Sequence, residues 1–112
     1  MEDFTKIFQA LSDSNRIKIL KMLEVRPICV CEFPDILELS VSTVSSHLSF
    51  LKKTGFITSK QNGKWIEYSL NKNSENPIIQ NLLTMTNQYL NDNPTIKNDK
   101  DKISKKEIKC CY

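Results

Sequence analysis

The chain has 112 residues, of which 39% are hydrophobic, and its 16 basic and 13 acidic side chains give a net charge of +3. This length predicts one small domain with a limited core, and so mild a positive charge does not by itself demand a nucleic-acid partner. No apolar run approaches the length of a membrane span and the N-terminus is acidic, so we expect a cytoplasmic protein whose four cysteines are thiols for metal or redox chemistry.

The first third of the chain predicts two helices and the start of a third. Apolar residues at helical spacing place the first helix at 2–11 and the second at about 14–25, before Pro27. The next helix starts near Glu32 or Phe33, because Pro34 is tolerated only close to a helix start.

The stretch from Ser40 to Leu70 predicts one capped helix followed by one tight hairpin. Ser40 is a good N-cap for a helix over 41–54, and Gly55 can take the left-handed conformation that ends it. Asn62-Gly63 is a strong hairpin signal, with the return strand at 65–70. A mainly α chain with a β-hairpin wing of this kind is typical of a winged helix-turn-helix that enters a DNA major groove.

The helix over 41–54 has a polar face that suits DNA reading. Its short hydroxyl side chains would let the helix lie close to base edges, and the nearby lysines would approach phosphates. A merely solvated face would look similar, although serine is a poor helix former and its repetition here favours DNA. His47 could contact DNA or make a local structural bond. The predicted DNA-binding residues are Ser42, Thr43, Ser45, Ser46, His47, Ser49, Lys52, Lys53, Lys60, Gln61, Asn62 and Lys64.

The last third of the chain predicts one more helix and then a tail. The helix starts at Pro77 and runs to about 91, and its apolar residues form more than one stripe, which indicates packing across a two-fold axis in a homodimer. A helix buried on two sides within one chain is the alternative. We expect residues 1–93 to form the DNA-binding and dimerisation domain and residues 94–112 to form a flexible charged tail.

Cys29 and Cys31 form the pair of residues in the sequence that best suits metal or redox chemistry. On a regular helix two residues so spaced point about 200° apart, so an ion that binds both must hold this segment non-helical. Thiolates select soft ions such as Cu(I), Zn(II), Cd(II) and trivalent metalloids. Two inert buried cysteines are the alternative.

Cys110 and Cys111 form a second pair near the C-terminus, and either could give a third thiol to Cys29 and Cys31. The sixteen or so residues after Pro94 could span about 50 Å, which reaches a site in the same chain or in a dimer mate. The pair could equally have no binding role.

Four stretches of the chain resemble the ArsR/SmtB family of metal-responsive repressors, over roughly residues 4–91. They are FQALSDSNRIKILKML, ICVCEFPDIL, LSVSTVSSHLSFLKKTGFI and QNGKWIEYSL. The resemblance implies a homodimeric winged helix that represses an operator in double-stranded DNA and releases it when metal binds. It also implies that the first and last helices form the dimer interface and that ICVCEF is a metal-binding box.

The resemblance further suggests the arsenic and antimony branch, with As(III) or Sb(III) as inducer and no organic cofactor. No cysteine precedes Cys29, unlike cadmium and lead sensors of this type, and residues 77–91 lack the His and Asp ligands of zinc and nickel sensors. A third cysteine that the arsenic branch often has is Pro34 here, so Cys110 or Cys111 is the natural substitute, because trivalent arsenic favours three sulfurs.

Three other functions stay open from the sequence. A Cd(II), Pb(II) or Zn(II) sensor of the same fold and a thiol-redox-switched DNA-binding regulator would both use the same cysteines. A metal carrier or thiol enzyme has little support, since no side chain is placed in sequence to activate a thiol and no phosphate-binding loop is present. We therefore do not expect an enzyme.

Overall fold

The computed structural model describes residues 1–105, which form several helices and one small sheet. In chain order the elements are α1 (Glu2–Ala10), α2 (Ser14–Leu23), β1 (Ile28–Cys29), a 3-10 turn (Val30–Glu32), α3 (Phe33–Leu37), α4 (Val41–Thr54), β2 (Ile57–Asn62), β3 (Trp65–Leu70), α5 (Pro77–Gln88) and α6 (Pro94–Lys105). The buried core joins residues of α1 to α5 with the start of β2, and Ile103 of α6 also belongs to it. Within residues 1–105, no helix combines the length and the apolar character that a membrane crossing needs.

Helix α4 has the bounds and the end signals predicted from the sequence. The Ser40 hydroxyl accepts the Thr43 N–H at 3.2 Å, which satisfies one of the free donors of the first turn. Gly55 ends the helix with φ of 97°, a left-handed conformation that a side chain would strain. The apolar stripe of α4 is fully buried through Val44, Leu48 and Leu51.

The hairpin signal is also confirmed, but the sheet has a strand that the sequence analysis did not predict. β2 and β3 pair antiparallel around Gly63, with Asn62 opposite Trp65. β1 pairs with the other edge of β3, so the strand order is β1-β3-β2. A two-residue strand gives no periodic signal, and its pairing with Tyr68 and Glu67 forms between residues about forty positions apart.

The segment after Pro94 differs from the flexible tail that the sequence predicted. Pro94–Lys105 is a helix whose start is capped by the Asn93 side chain, which accepts the N–H groups of Thr95 and Ile96. Ile96 and Ile103, two turns apart, are buried where α6 packs against α2 and α3. Sparse apolar residues suggested a mobile tail, yet a helix places these two on one face. The domain boundary after residue 93 stays a prediction, and residues 106–112 lie outside the described part.

Candidate nucleic-acid interface and thiol site

The polar face of α4 is open to solvent, as a groove-reading helix requires. Its exposed side chains are Ser42, Thr43, Ser45, Ser46, Ser49, Lys52 and Lys53. The opposite face is buried through the apolar stripe, so the helix is held rigidly while its hydroxyl face stays accessible. A short turn, with Glu38 in a left-handed conformation, joins α3 to α4 and gives the helix-turn-helix its bend.

Positive charge is concentrated on α4 and the hairpin. The wing-tip residues Lys60, Gln61, Asn62 and Lys64 are all exposed. Over residues 41–70, which form α4 and the hairpin, the chain has four lysines and one acidic residue, Glu67, so this part accounts for the whole net charge of +3. The remainder of the chain is neutral overall, and the basic patch lies where the fold would meet a phosphate backbone.

His47 is half-buried and makes a local contact, which was one of the two alternatives from the sequence. Its Nδ1 lies 3.3 Å from Nη1 of Arg16. Because a guanidinium has no acceptor, Nδ1 must accept this hydrogen bond, which leaves the ring proton on Nε2. A role for His47 at DNA stays a prediction.

Arg16 joins three helices and was missed in the sequence analysis. Its guanidinium donates from Nε to the Ala10 carbonyl and from Nη2 to the Gln9 carbonyl, both at 3.0 Å, so it caps the C-terminal end of α1. It also lies 4.8 Å from the centre of the Phe50 ring on α4. Its position on α2 was visible in the sequence, but its four partners on α1 and α4 come together only in the fold.

Cys29 and Cys31 lie in a segment that is not α-helical. Cys29 ends β1 with φ of −79° and ψ of 149°, an extended conformation, and Cys31 follows in the 3-10 turn. Cys29 is buried and Cys31 is half-buried. Cys31 is disulfide-bonded in this structure. Two sulfurs so placed avoid the 200° divergence that a regular α-helix would impose.

A buried ion pair holds the backbone beside these cysteines. The Cys29 N–H donates to Oε2 of Glu32 at 2.8 Å, and Oε1 of Glu32 pairs with Nη2 of Arg26 at 2.8 Å. Glu32 is 1% exposed, so its carboxylate depends on these partners. The sequence places Glu32 directly after Cys31, but it gave no signal that the carboxylate turns back towards Cys29.

The cysteine segment is connected to the wing and to the helix-turn-helix. Cys29 pairs with Glu67 on β3, the return strand of the wing. The 3-10 turn that follows leads directly into α3, the first helix of the helix-turn-helix. A change of backbone conformation at Cys29–Cys31 therefore acts on the hairpin and on the helix-turn-helix together.

The described residues do not complete a metal site by themselves. Within 1–105, no group of three or more His, Cys, Asp and Glu side chains is arranged to hold a metal ion. Cys110 and Cys111, the predicted sources of a third thiol, lie outside the described residues. After reduction, Cys29 and Cys31 would offer two thiolates, which fits part of a three-sulfur site.

Helix α4 is capped and has an exposed hydroxyl face. A helix and a turn precede it, and a lysine-bearing hairpin follows it. This arrangement defines a winged helix-turn-helix DNA-binding regulator. Residues 13–59 match the model of a family described as "Bacterial regulatory protein, arsR family". An arsenical resistance operon repressor from Staphylococcus aureus is 32% identical over 81 residues, which cover 72% of this chain and 78% of that protein. The chain belongs to the arsR family.

Another relative is named for a different metal. A cadmium resistance transcriptional regulatory protein CadC homolog from Staphylococcus aureus is 37% identical over 79 residues, covering 70% of this chain. The aligned part is 65% of that relative's length. A homodimeric winged helix-turn-helix DNA-binding domain from Mycobacterium bovis superposes with a TM-score of 0.63 at 19% identity, over 75% of this chain and 74% of that one. This likeness shows the fold.

Proposed function

We propose that the protein is a transcriptional repressor that binds operator DNA as a homodimer and dissociates when As(III) or Sb(III) binds cysteine thiolates. Cys29 and Cys31 supply two of the thiolates in the reduced protein, and Cys110 or Cys111 supplies the third. The observation that carries the proposal is the position of Cys29, which is paired to the wing through β3 and precedes the helix-turn-helix. The protein acts in the cytoplasm and is not an enzyme.

The charge and shape of α4 and the wing support DNA binding. The exposed hydroxyl face suits contact with base edges, and Lys52, Lys53, Lys60 and Lys64 suit contact with phosphates. Phosphate contacts supply most of the affinity, and base-edge contacts supply the sequence preference.

Exposed apolar residues on the first and fifth helices support the homodimer. Phe4 and Phe8 on α1 stack edge to face with their rings 5.1 Å apart, and they are 51% and 45% exposed. Met85 on α5 and Tyr89 and Leu90 just after it are also exposed. Apolar side chains gathered in this way on a small domain favour association, and a second copy presents the same surface.

The donor set supports a soft thiophilic ion. Trivalent arsenic and antimony prefer sulfur ligands, and both cysteines lie where the backbone already departs from the α-helix. An ion that draws the two side chains together acts on a segment held by the Glu32 carboxylate and by β3. Movement of that segment reaches the wing and α3, so ligand binding and DNA release are connected.

The test is a gel-shift titration of the reduced full-length chain with arsenite. Wild type should release its operator, whereas Cys29→Ser and Cys31→Ser should bind the operator as wild type does and resist release. A matched control, Ser45→Ala with Ser46→Ala, should weaken operator binding and leave arsenite binding unchanged. Full release from both cysteine variants would overturn the assigned site.

A Cd(II)-responsive repressor is the second candidate, favoured by the identity to the CadC homolog. Cadmium and arsenite compete for the same two thiolates in this case, so the titration is repeated with cadmium, lead, zinc and antimonite. Release by cadmium at lower concentration than by arsenite would favour the cadmium function. Release by peroxide with indifference to every ion would favour a thiol redox switch instead.

A further inference from the structure

The C-terminal end of α5 is held by a buried lysine of α2. Nζ of Lys21 donates to the Thr86 carbonyl at 2.8 Å and to the side-chain oxygen of Asn91 at 3.1 Å. The last carbonyls of a helix have no partner within it and carry partial negative charge, so a cation is stable there. Lys21 is fully buried, and its ammonium therefore ties the last turn of α5 to α2 in the interior of the protein.

The charge of Lys21 is balanced by Glu24, which α6 also contacts. Oε1 of Glu24 lies 3.0 Å from Nζ of Lys21 and 2.8 Å from Nζ of Lys100, which is on α6. The Glu24 side chain is only 7% exposed, so water screens these two pairs weakly. A buried ammonium that loses its carboxylate is strongly destabilised. The hold of Lys21 on α5 therefore depends on where the Glu24 carboxylate lies.

The packing of α6 places Lys100 at this carboxylate. Ile96 and Ile103 are buried where α6 packs against α2 and α3. Lys100 follows Ile96 by four residues and precedes Ile103 by three, so the three side chains share one face of the helix. Glu24 therefore receives its second cation only while α6 is packed against the domain.

The residues just after α5 belong to the exposed apolar surface that supports the homodimer. Tyr89 and Leu90 are 64% and 45% exposed. Leu90 has φ of 65°, a left-handed conformation that a leucine keeps only when its surroundings hold it there. The bond from Lys21 to Asn91, the next residue, is one such contact. The direction of Tyr89 and Leu90 is therefore connected to Lys21.

We propose that packing of α6 stabilises the end of α5 through Lys100, Glu24 and Lys21, and that it thereby strengthens the homodimer. Lys100 and Glu24 are positioning residues in this arrangement, since neither lies on the apolar surface itself. The consequence for the dimer rests on the proposed function, whereas the effect on the end of α5 concerns the single chain. Displacement of α6 would loosen residues 86–91 and favour the monomer.

Amide hydrogen exchange of the full chain tests the effect on α5. In Lys100→Met the amides of residues 86–91 should exchange about tenfold faster than in wild type, because Glu24 is held by one cation fewer. Lys97→Met removes the same charge from an exposed position of α6 and should exchange as wild type does. Amides of the wing, at 57–62, should be unchanged in both variants. Unchanged exchange at 86–91 in Lys100→Met, or an equal acceleration in the wing, would overturn the inference.

A double-mutant cycle tests the route through Lys21. In the background of Lys21→Met, the change Lys100→Met should have little further effect on exchange at 86–91, because the link to α5 is already broken. If Lys21→Met does not fold, Glu24→Gln supplies the background, since it keeps the shape of the side chain and removes its charge. Fully additive effects would show that Lys100 acts on α5 by another route, and would contradict the proposal.

Sedimentation velocity over a range of protein concentrations tests the consequence for the dimer. Lys100→Met should raise the dimer dissociation constant several-fold, and Lys97→Met should leave it unchanged. A dissociation constant that stays the same in Lys100→Met, while exchange at 86–91 accelerates, would overturn the link to the dimer. A wild type that is monomeric at every concentration would reject the homodimer of the proposed function, and hydrogen exchange in the monomer would then decide whether α6 stabilises the end of α5.

Discussion

Arg16 connects α4 to α1, and replacing it tests that connection. In Arg16→Met the alkyl stem remains, but the Gln9 and Ala10 carbonyls no longer have a guanidinium donor. The hydrogen bond to His47 and the stacking on Phe50 are also removed. The change removes three hydrogen bonds worth about 1 kcal/mol each at this half-buried position, and a stacking contact worth up to about 1 kcal/mol. The free energy of unfolding should therefore fall by about 3–4 kcal/mol.

Urea unfolding followed by circular dichroism measures this decrease, and fluorescence anisotropy with labelled operator measures the effect on DNA binding. Operator affinity should weaken at temperatures where the variant is still folded, because α4 is no longer held to α2 through His47 and Phe50. Arg16→Lys keeps the charge without the planar fork and should recover only part of the stability.

Lys97→Met, at an exposed position of α6, is the surface control and should change the free energy of unfolding by less than about 0.5 kcal/mol. If Arg16→Met proved as stable as this control, the guanidinium would contribute nothing measurable, and the reasoning that α4 is held through Arg16 would fail.

Three further outcomes are expected. Lys60→Gln with Lys64→Gln should weaken operator binding. The slope of log affinity against log salt should become less steep by about 0.9 for each phosphate that the variant no longer neutralises. An unchanged slope would place the wing away from the DNA backbone. Burial raises the pKa of Asp99 above its ordinary 3.8, against the opposing effect of Lys18 and Lys102, and its Oδ2 has no hydrogen-bond partner among the described residues. The native state therefore holds this proton more tightly, and the stability it contributes is full below pH 3.8 and disappears as pH rises through the raised pKa. Asp99→Asn should thus be more stable than wild type by about 1 kcal/mol at pH 7 in thermal unfolding, with the difference vanishing towards pH 3. Burial opposes ionisation of Asp13, but hydrogen bonds from the Arg16 and Asn15 N–H groups outweigh it and lower the pKa of Asp13 below 3.8. Asp13→Ala should therefore lower the free energy of unfolding by about 1 kcal/mol at neutral pH. This contribution should disappear as pH falls through the lowered pKa.

Local signals in the sequence were sufficient for most of the helices and for the wing. Ser40 and Gly55 act on atoms within a few residues of themselves, so the ends of α4 could be predicted from residue type alone. The same holds for Asn62-Gly63, where the turn residues determine the hairpin. Helix α5 ends at Gln88, earlier than predicted. Near this end the buried Lys21 of α2 donates to the Thr86 carbonyl at 2.8 Å, and these residues are 65 positions apart in the chain.

What the sequence determined by itself is the class of element at each position and the chemistry each one offers: a hydroxyl face on α4, lysines on the wing, and a pair of thiols at Cys29 and Cys31. Tertiary structure alone decided which of these elements touch. The pairing of β1 with β3, the contact of Arg26 with both Glu32 and α6, and the packing of α6 itself join residues far apart in the chain. Such contacts leave no periodic pattern, because they depend on how faces meet and not on the order of residues along one face.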